Sequence, residues 1–259
     1  MPIADSLYFV YDGIRSDEMG IINVNLQSGL QEEIYIPEQS IKEFSIRGND
    51  TPYFVETERK PFTIPLNFAF TESFDDERLR EVANWLGNQP YYKPLYFSDN
   101  IEKWYYTLYT GEMRLLHNCL SEGYVSLQMR NISPYSYSPI YAPDEYDLSS
   151  NTTSGTEIQI ENLGNLNCKP KIFIEKIGAG EISIINQSDS GNEFKITNLV
   201  DKEKVIIDCN KEDIVSDIPL TYHFDHKYGK YPRFVYGMNY LKIYGKCKIR
   251  FMYQFTNNF

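Results

Sequence analysis

Histidine, tryptophan and cysteine are scarce in this chain, which holds three, two and four of them among 259 residues. So few histidines and cysteines leave little material for a metal centre or an activated nucleophile. Cys119, Cys168, Cys209 and Cys247 stand far apart, with no C-x-x-C pair. Reduced and partly buried thiols are the expectation. Basic charge is also short, at 25 residues against 36 acidic ones. That balance disfavours a surface that wraps nucleic acid, which needs clustered lysine and arginine. No stretch approaches the roughly 18–20 apolar residues of a membrane helix, so no membrane insertion is expected. The start lacks a basic segment followed by an apolar run, so no secretory signal is expected and the protein should stay soluble in a cytoplasm. Without a secretory route the sequons at Asn131, Asn151 and Asn186 carry no meaning. Nucleotide-binding and hydrolase motifs (Walker, Rossmann, G-x-S-x-G) are missing too. Gly178-Ala179-Gly180 has neither a third glycine nor a helix after it and reads as a turn.

What the chain has in quantity is alternation. Phe62, Ile64, Leu66, Phe68 and Phe70 alternate with Thr63, Pro65, Asn67 and Ala69. Ile22, Val24 and Leu26 alternate with asparagine and glutamine, and Val125, Leu127 and Met129 with Ser126, Gln128 and Arg130. Each set predicts a half-buried strand. Pro65 has no N–H for a ladder, which predicts an edge or a bulge there. One helix is expected at about 74–86, where Leu79, Val82, Ala83 and Leu86 keep the spacing of one face. Ser73 can cap it, Asp75, Asp76 and Glu77 suit the positive end of its dipole, and Gly87 with Pro90 ends it. Trp85 borders the buried stripe.

Residues 139–156, rich in proline, acids, serine and threonine, predict a boundary. The expected domains are 1–140 and 157–259, with 141–156 as a linker or one long loop. Beyond it short apolar runs recur with turn signals between them, as in an antiparallel sandwich. Charge is uneven: residues 1–140 hold 20 acids and 11 bases, and the remainder 16 and 14. The first half is the anionic one.

Candidate chemistry is thin. His223-Phe224-Asp225-His226 is the only local group with metal or acid–base potential, and two histidines three apart do not share a strand face. A polar loop explains it better. Asp75-Asp76-Glu77 could be imagined as paired catalytic carboxylates, but the helix dipole accounts for them. No residue is therefore assigned a catalytic, cofactor-binding or metal-binding role, and the chain is not expected to be an enzyme. The aromatic content is high, with 22 tyrosines and 15 phenylalanines. Tyr91-Tyr92, Tyr105-Tyr106 and the tyrosines of 135–141 exceed what one sandwich core hides, so some are expected at subunit interfaces.

One further set of signals runs the length of the chain. It begins with Tyr8 to Gly13, Ser16-Asp17 and Gly20-Ile21, and continues through the Phe62–Phe70 strand, Trp85-Leu86, Leu95 to Asp99, Tyr106 and Ser133-Pro134 to Ser138. It ends with Asn162 to Asn165, Pro170, Ile207-Asp208, Gly237 and Asn239. In this order they resemble the distal tail protein family of long-tailed phages. Ser133 departs from the acidic residue that the family often has there. The resemblance implies a mainly β protein: a tail-tube-like first domain with one packed helix, then a galectin-like antiparallel β-sandwich. It implies a homohexameric ring joining the tail tube to the tail-tip hub or baseplate, with DNA only a passing cargo through its lumen. Tail-tube and hub proteins are the implied partners, with a tape-measure protein and receptor-binding or side-fibre proteins beyond them. No cofactor is implied, and the implied location is the virion, assembled in a host cytoplasm. The alternative is a lectin-like carbohydrate-binding module for host attachment, which the aromatics and the sandwich favour and the first half does not explain.

Overall fold

Alternation becomes antiparallel sheet along most of the chain, and strands far outweigh helix. The computed structural model describes residues 6–24, 34, 36–118 and 122–258. Contacts divide the chain into two units, Met1–Tyr137 with Asn258–Phe259, and Ser138–Asn257.

The first unit opens with β1 (Phe9–Tyr11), β2 (Ile14–Arg15) and β3 (Ile21–Asn23). Then come β4 (Gln39–Phe44), β5 (Tyr53–Arg59) and β6 (Thr63–Phe70), and the helix α1 (Asp76–Gly87). After the helix run β7 (Lys93–Phe97), the long β8 (Asn100–Asn118), β9 (Glu122–Asn131) and β10 (Ser136–Tyr137). The main sheet has the order β2-β1-β7-β8-β9-β6-β3, with β10 also beside β8. β4 and β5 form a separate two-stranded sheet.

Between β1 and β2 lies a two-residue turn, Asp12-Gly13, with φ of 53° and 80°. Tight hairpins need positive φ at both central positions, which glycine adopts freely and aspartate tolerates. This turn explains the Gly13 signal. Ser16 serves the same corner: its Oγ accepts the Phe9 N–H at 3.2 Å and its carbonyl accepts the Ile21 N–H at 3.0 Å.

Ile64, Leu66 and Phe68 of β6 and Val125, Leu127 and Met129 of β9 are buried, as their spacing predicts. β3 differs in phase. Ile21 enters the core while Ile22 stays exposed, so the Ile22-Val24 face points outward. Leu26 lies outside the described residues. Pro65 pairs with Gln128 of β9 on one side only, because β3 reaches β6 just at residues 68–70. The missing N–H therefore faces no partner strand among the described residues.

The helix begins two residues later than expected. Asp75, not Ser73, caps it: its carboxylate accepts the Arg78 N–H at 2.9 Å. Val82, Trp85 and Leu86 join the core of β1, β6, β7 and β9. Trp85 does more than border the stripe. Its ring stacks on Phe9 at 5.8 Å and 4°, and its indole N–H donates to the Tyr11 carbonyl at 3.0 Å. One side chain thus ties α1 to β1 by packing and by a buried hydrogen bond.

The second unit carries β11 (Tyr146–Asp147), β12 (Thr156–Asn162), β13 (Lys171–Lys176), β14 (Gly180–Asn186) and β15 (Asn192–Leu199). β16 (Lys204–Asp208), β17 (Asp213–Ser216), β18 (Lys227–Gly229), β19 (Gly237–Tyr244) and β20 (Cys247–Met252) follow. They form two five-stranded sheets, β11-β20-β13-β16-β17 and β12-β19-β14-β15-β18. Alternate residues of both sheets fill one core, including Ile172, Ile184, Phe194, Ile207, Leu241, Ile249 and Phe251. This is the antiparallel sandwich expected of the second half. Segment 141–156 lies along its strands. Tyr141 bridges Tyr253, β11 pairs with β20, and the Asn151 amide donates to the carbonyls of Ile243 and Gly245 at 2.9 and 2.8 Å.

Replacing Trp85 by alanine removes a stacked ring and a buried hydrogen bond to the Tyr11 carbonyl, and should cost roughly 3–5 kcal/mol. Chemical denaturation followed by tryptophan-independent circular dichroism checks this. Asp75→Ala, which removes one cap, should cost only about 1 kcal/mol in the same assay.

Candidate functional site

Among the described residues the titratable side chains stand mostly apart. Among the described residues no three His, Cys, Asp or Glu side chains converge as metal ligands would. Asp75, Asp76 and Glu77 sit at the start of α1, the first as its cap. An open hollow on the main sheet, lined by Glu112, Arg114, Ser126, Leu127 and Gln128, holds one ion pair, between Arg114 and Glu112. Cys168, Cys209 and Cys247 are buried free thiols. Burial pushes Cys168 up to about 11 and Cys247 to about 12, so neither is a ready nucleophile. Cys119 lies outside the described residues. No described helix is long and apolar enough to cross a membrane.

His223 corrects the reading of 223–226 as a plain polar loop. It is buried, and its Nε2 lies 2.6 Å from Oε1 of Glu203, also buried. Ser216 Oγ donates to the same oxygen at 2.6 Å, and Oε2 accepts the Val200 N–H at 2.9 Å. Burial pushes the Glu203 carboxyl up, but the Ser216, Val200 and His223 bonds outweigh it and hold it below the usual range. His226 instead lies in a 3₁₀ turn (Phe224–His226), where Nδ1 meets the Asn198 amide at 3.2 Å. Glu203 is 20 residues from His223 in sequence, and no local spacing signals the pair.

Three buried asparagines explain the late motifs. Asn162 donates to the carbonyls of Leu166 and Phe234 and accepts the Gly164 N–H. Asn239 donates to Val235 and Gly237 carbonyls and accepts the Val235 N–H. Asn186 links Arg233 to Asn239. At Gly164 a Cβ would lie 2.7 Å from the Thr256 carbonyl oxygen, so only glycine fits. These residues shape loops.

The conspicuous feature is apolar surface. On the β4–β5 sheet Phe54, Ile41 and Phe44 are 66%, 62% and 61% exposed, and Tyr53 and Val55 are exposed too. Two strands cannot bury their own faces, and a lone hairpin is marginal in water. The main sheet offers a second apolar feature. Register places Leu116, Tyr124, Ala69 and Ile22 side by side across β8, β9, β6 and β3. Leu116, Tyr124 and Ile22 of this row are exposed. The tyrosines expected at interfaces divide. Tyr105 is buried and Tyr106 packs edge-on against Tyr137 at 5.4 Å, whereas Tyr91 is exposed.

The pH dependence of the second unit follows from its carboxylates. Asp189, held by Arg233 at 2.8 Å, lies below its usual range, as does Glu203. Both depressed groups stabilise fully above the unfolded carboxylate pKa of about 4, and that contribution is lost as pH falls through the folded values. Melting temperature should therefore drop on acidification, and less steeply in Glu203→Gln. His223→Ala should cost roughly 3–5 kcal/mol, because it leaves a buried carboxylate short of a partner. Melts of the three proteins across acidic pH check both statements.

Residues 4–133 match a family model described as a phage tail protein N-terminal domain, and residues 141–253 one described as a phage tail C-terminal domain. The SPbeta prophage-derived uncharacterized protein YomH of Bacillus subtilis (strain 168) is 34% identical over 253 residues, covering 98% of each chain. Among solved structures the SPP1 Dit (gp 19.1) protein, described as a hub adsorption apparatus of phages infecting Gram-positive bacteria, superposes with a TM-score of 0.66 at 16% identity. That match covers 96% of this chain and 99% of the other. A chain of the phage P2 baseplate in its activated, calcium-bound conformation gives 0.59 at 8% identity, over 98% and 99%.

Proposed function

Since the chain belongs to the phage tail protein family, a structural component of the virion, we propose that it is the distal tail adaptor. Six first domains close into a ring that joins the tail tube to the tail-tip hub or baseplate. What supports this reading is the β4–β5 sheet, which exposes Ile41, Phe44, Tyr53, Phe54 and Val55 and has no covering layer among the described residues. Ring closure needs two different patches on one subunit. The hairpin and the Leu116–Tyr124–Ala69–Ile22 row are two such patches. The hairpin of one copy would cover the row of the next.

The anionic first half suits a lumen that DNA crosses, because like charge keeps phosphate from adhering. The second domain folds by itself, with the boundary near Tyr137–Ser138, and is free to carry fibres or receptor-binding proteins. None of this requires catalysis.

Negative-stain imaging of the purified protein, alone and with the product of the neighbouring tail gene, tests the reading. Rings with a central hole are expected. A monomer or dimer under both conditions contradicts it. Phe54→Ser with Val55→Ser should abolish rings while leaving the melting temperature within a few degrees of the parent, since both residues are exposed.

A further inference from the structure

The two faces of the β4–β5 hairpin are not equivalent, and strand register sorts them. Ile41 and Glu43 share one face of β4 and stand opposite Thr57 and Phe54. Lys42 and Phe44 share the other and stand opposite Glu56 and Tyr53. Each face exposes an apolar pair, Ile41 with Phe54 on the first and Phe44 with Tyr53 on the second. Their charges differ. On the second face Lys42 Nζ meets Glu56 Oε1 at 2.8 Å, so the charge there is answered within the hairpin. On the first face Arg59 is taken by Gln39 and Asn258 at the open end. Glu43 is exposed, and its carboxylate has no partner among the described residues.

The main sheet offers the reciprocal arrangement. Arg114 of β8 stands opposite Ser126 of β9, two residues along each strand from the Leu116–Tyr124 pair. Residues two apart face the same way, so Arg114 rises from the face of Leu116 and Tyr124, while Met113 and Leu115 pack on the core. Glu112 Oε2 accepts both Nε at 3.2 Å and Nη2 at 3.0 Å, and Nη1 has no acceptor among the described residues. Both side chains of that pair are 76% exposed, and a pair so exposed contributes little. The outward residues of β9 beside it, Tyr124, Ser126, Gln128 and Arg130, include no carboxylate. A bulge in β8 between Thr110 and Arg114 opens the polar hollow beside the guanidinium, which gives a second carboxylate room.

The spacings agree. Side chains directly opposite in an antiparallel pair start about 5 Å apart, and diagonal neighbours about 7–8 Å. Glu43 stands directly opposite Phe54, and Arg114 diagonal to Tyr124. A hairpin that lays Phe54 on Tyr124 can therefore set Glu43 against Arg114, both side chains being long. We infer that the face of Ile41, Glu43 and Phe54 docks on the row of the next copy, with the Glu43 carboxylate on the Arg114 guanidinium. Turned over, the hairpin would present Lys42 to Arg114 and be repelled. Such a contact fixes register and excludes wrong pairings more than it adds strength. This orientation rests on the adaptor reading and deepens it.

A charge swap tests it in the purified full chain, alone and with the product of the neighbouring tail gene. Sedimentation velocity over a concentration series gives the midpoint of ring formation. Glu43→Arg and Arg114→Glu, each alone, should raise that midpoint about tenfold or more, because like charges then meet at every joint. The two together should return it to within about threefold of the parent. Glu56→Arg, on the second face, should leave it unchanged. All these positions are exposed, so melting temperatures should stay within a few degrees of the parent. Single variants that assemble like the parent overturn the pairing and leave the adaptor reading standing. So does a double variant as weak as the singles, or a Glu56→Arg variant as weak as Glu43→Arg. A parent that forms no ring under either condition overturns both.

Discussion

A β-sheet with an apolar face must lay it against another layer, and this constraint organises the molecule. The main sheet of the first unit is covered by α1 through Val82, Trp85 and Leu86. The two sheets of the second unit cover each other, with Ile172, Ile184, Ile207 and Leu241 between them. The β4–β5 sheet alone has no covering layer among the described residues, although it carries Ile41, Phe44, Tyr53, Phe54 and Val55 on its surface. In the proposed ring the next copy supplies that layer.

The proposed function uses the exposed surfaces, and buried residues hold those surfaces in place. Trp85 fixes α1 on β1 through Phe9 and Tyr11. Asn162, Asn186 and Asn239 answer backbone groups that turns leave unpaired. Glu203 does the same for the loops around His223, with a charge. Such polar anchors are costly to break, because each leaves several buried groups without partners.

Much of this was legible from the sequence, for identifiable reasons. β6 and β9 could be read because period-two alternation is a local signal. The helix could be read from its apolar face, while its cap was misplaced because Ser73 and Asp75 are both good capping residues and only geometry chooses. The phase of β3 was missed because Ile21 and Ile22 are equally apolar and only the core decides which enters. The His223–Glu203 pair could not be read, since nothing local links two residues on separate loops. The β4–β5 surface was missed for a related reason: Phe44, Phe54 and Val55 look like core residues, and only the fold shows that no layer among the described residues covers them.

In the proposed ring the hairpin of one copy covers the sheet row of the next. Disulfide trapping reads it directly, with cysteines at Phe54 and Tyr124 placed singly and together in the full chain. Only the double variant, mildly oxidised, is expected to give a ladder of linked subunits that ends at six. Dimers from either single variant, or no linkage in the double variant, would contradict it.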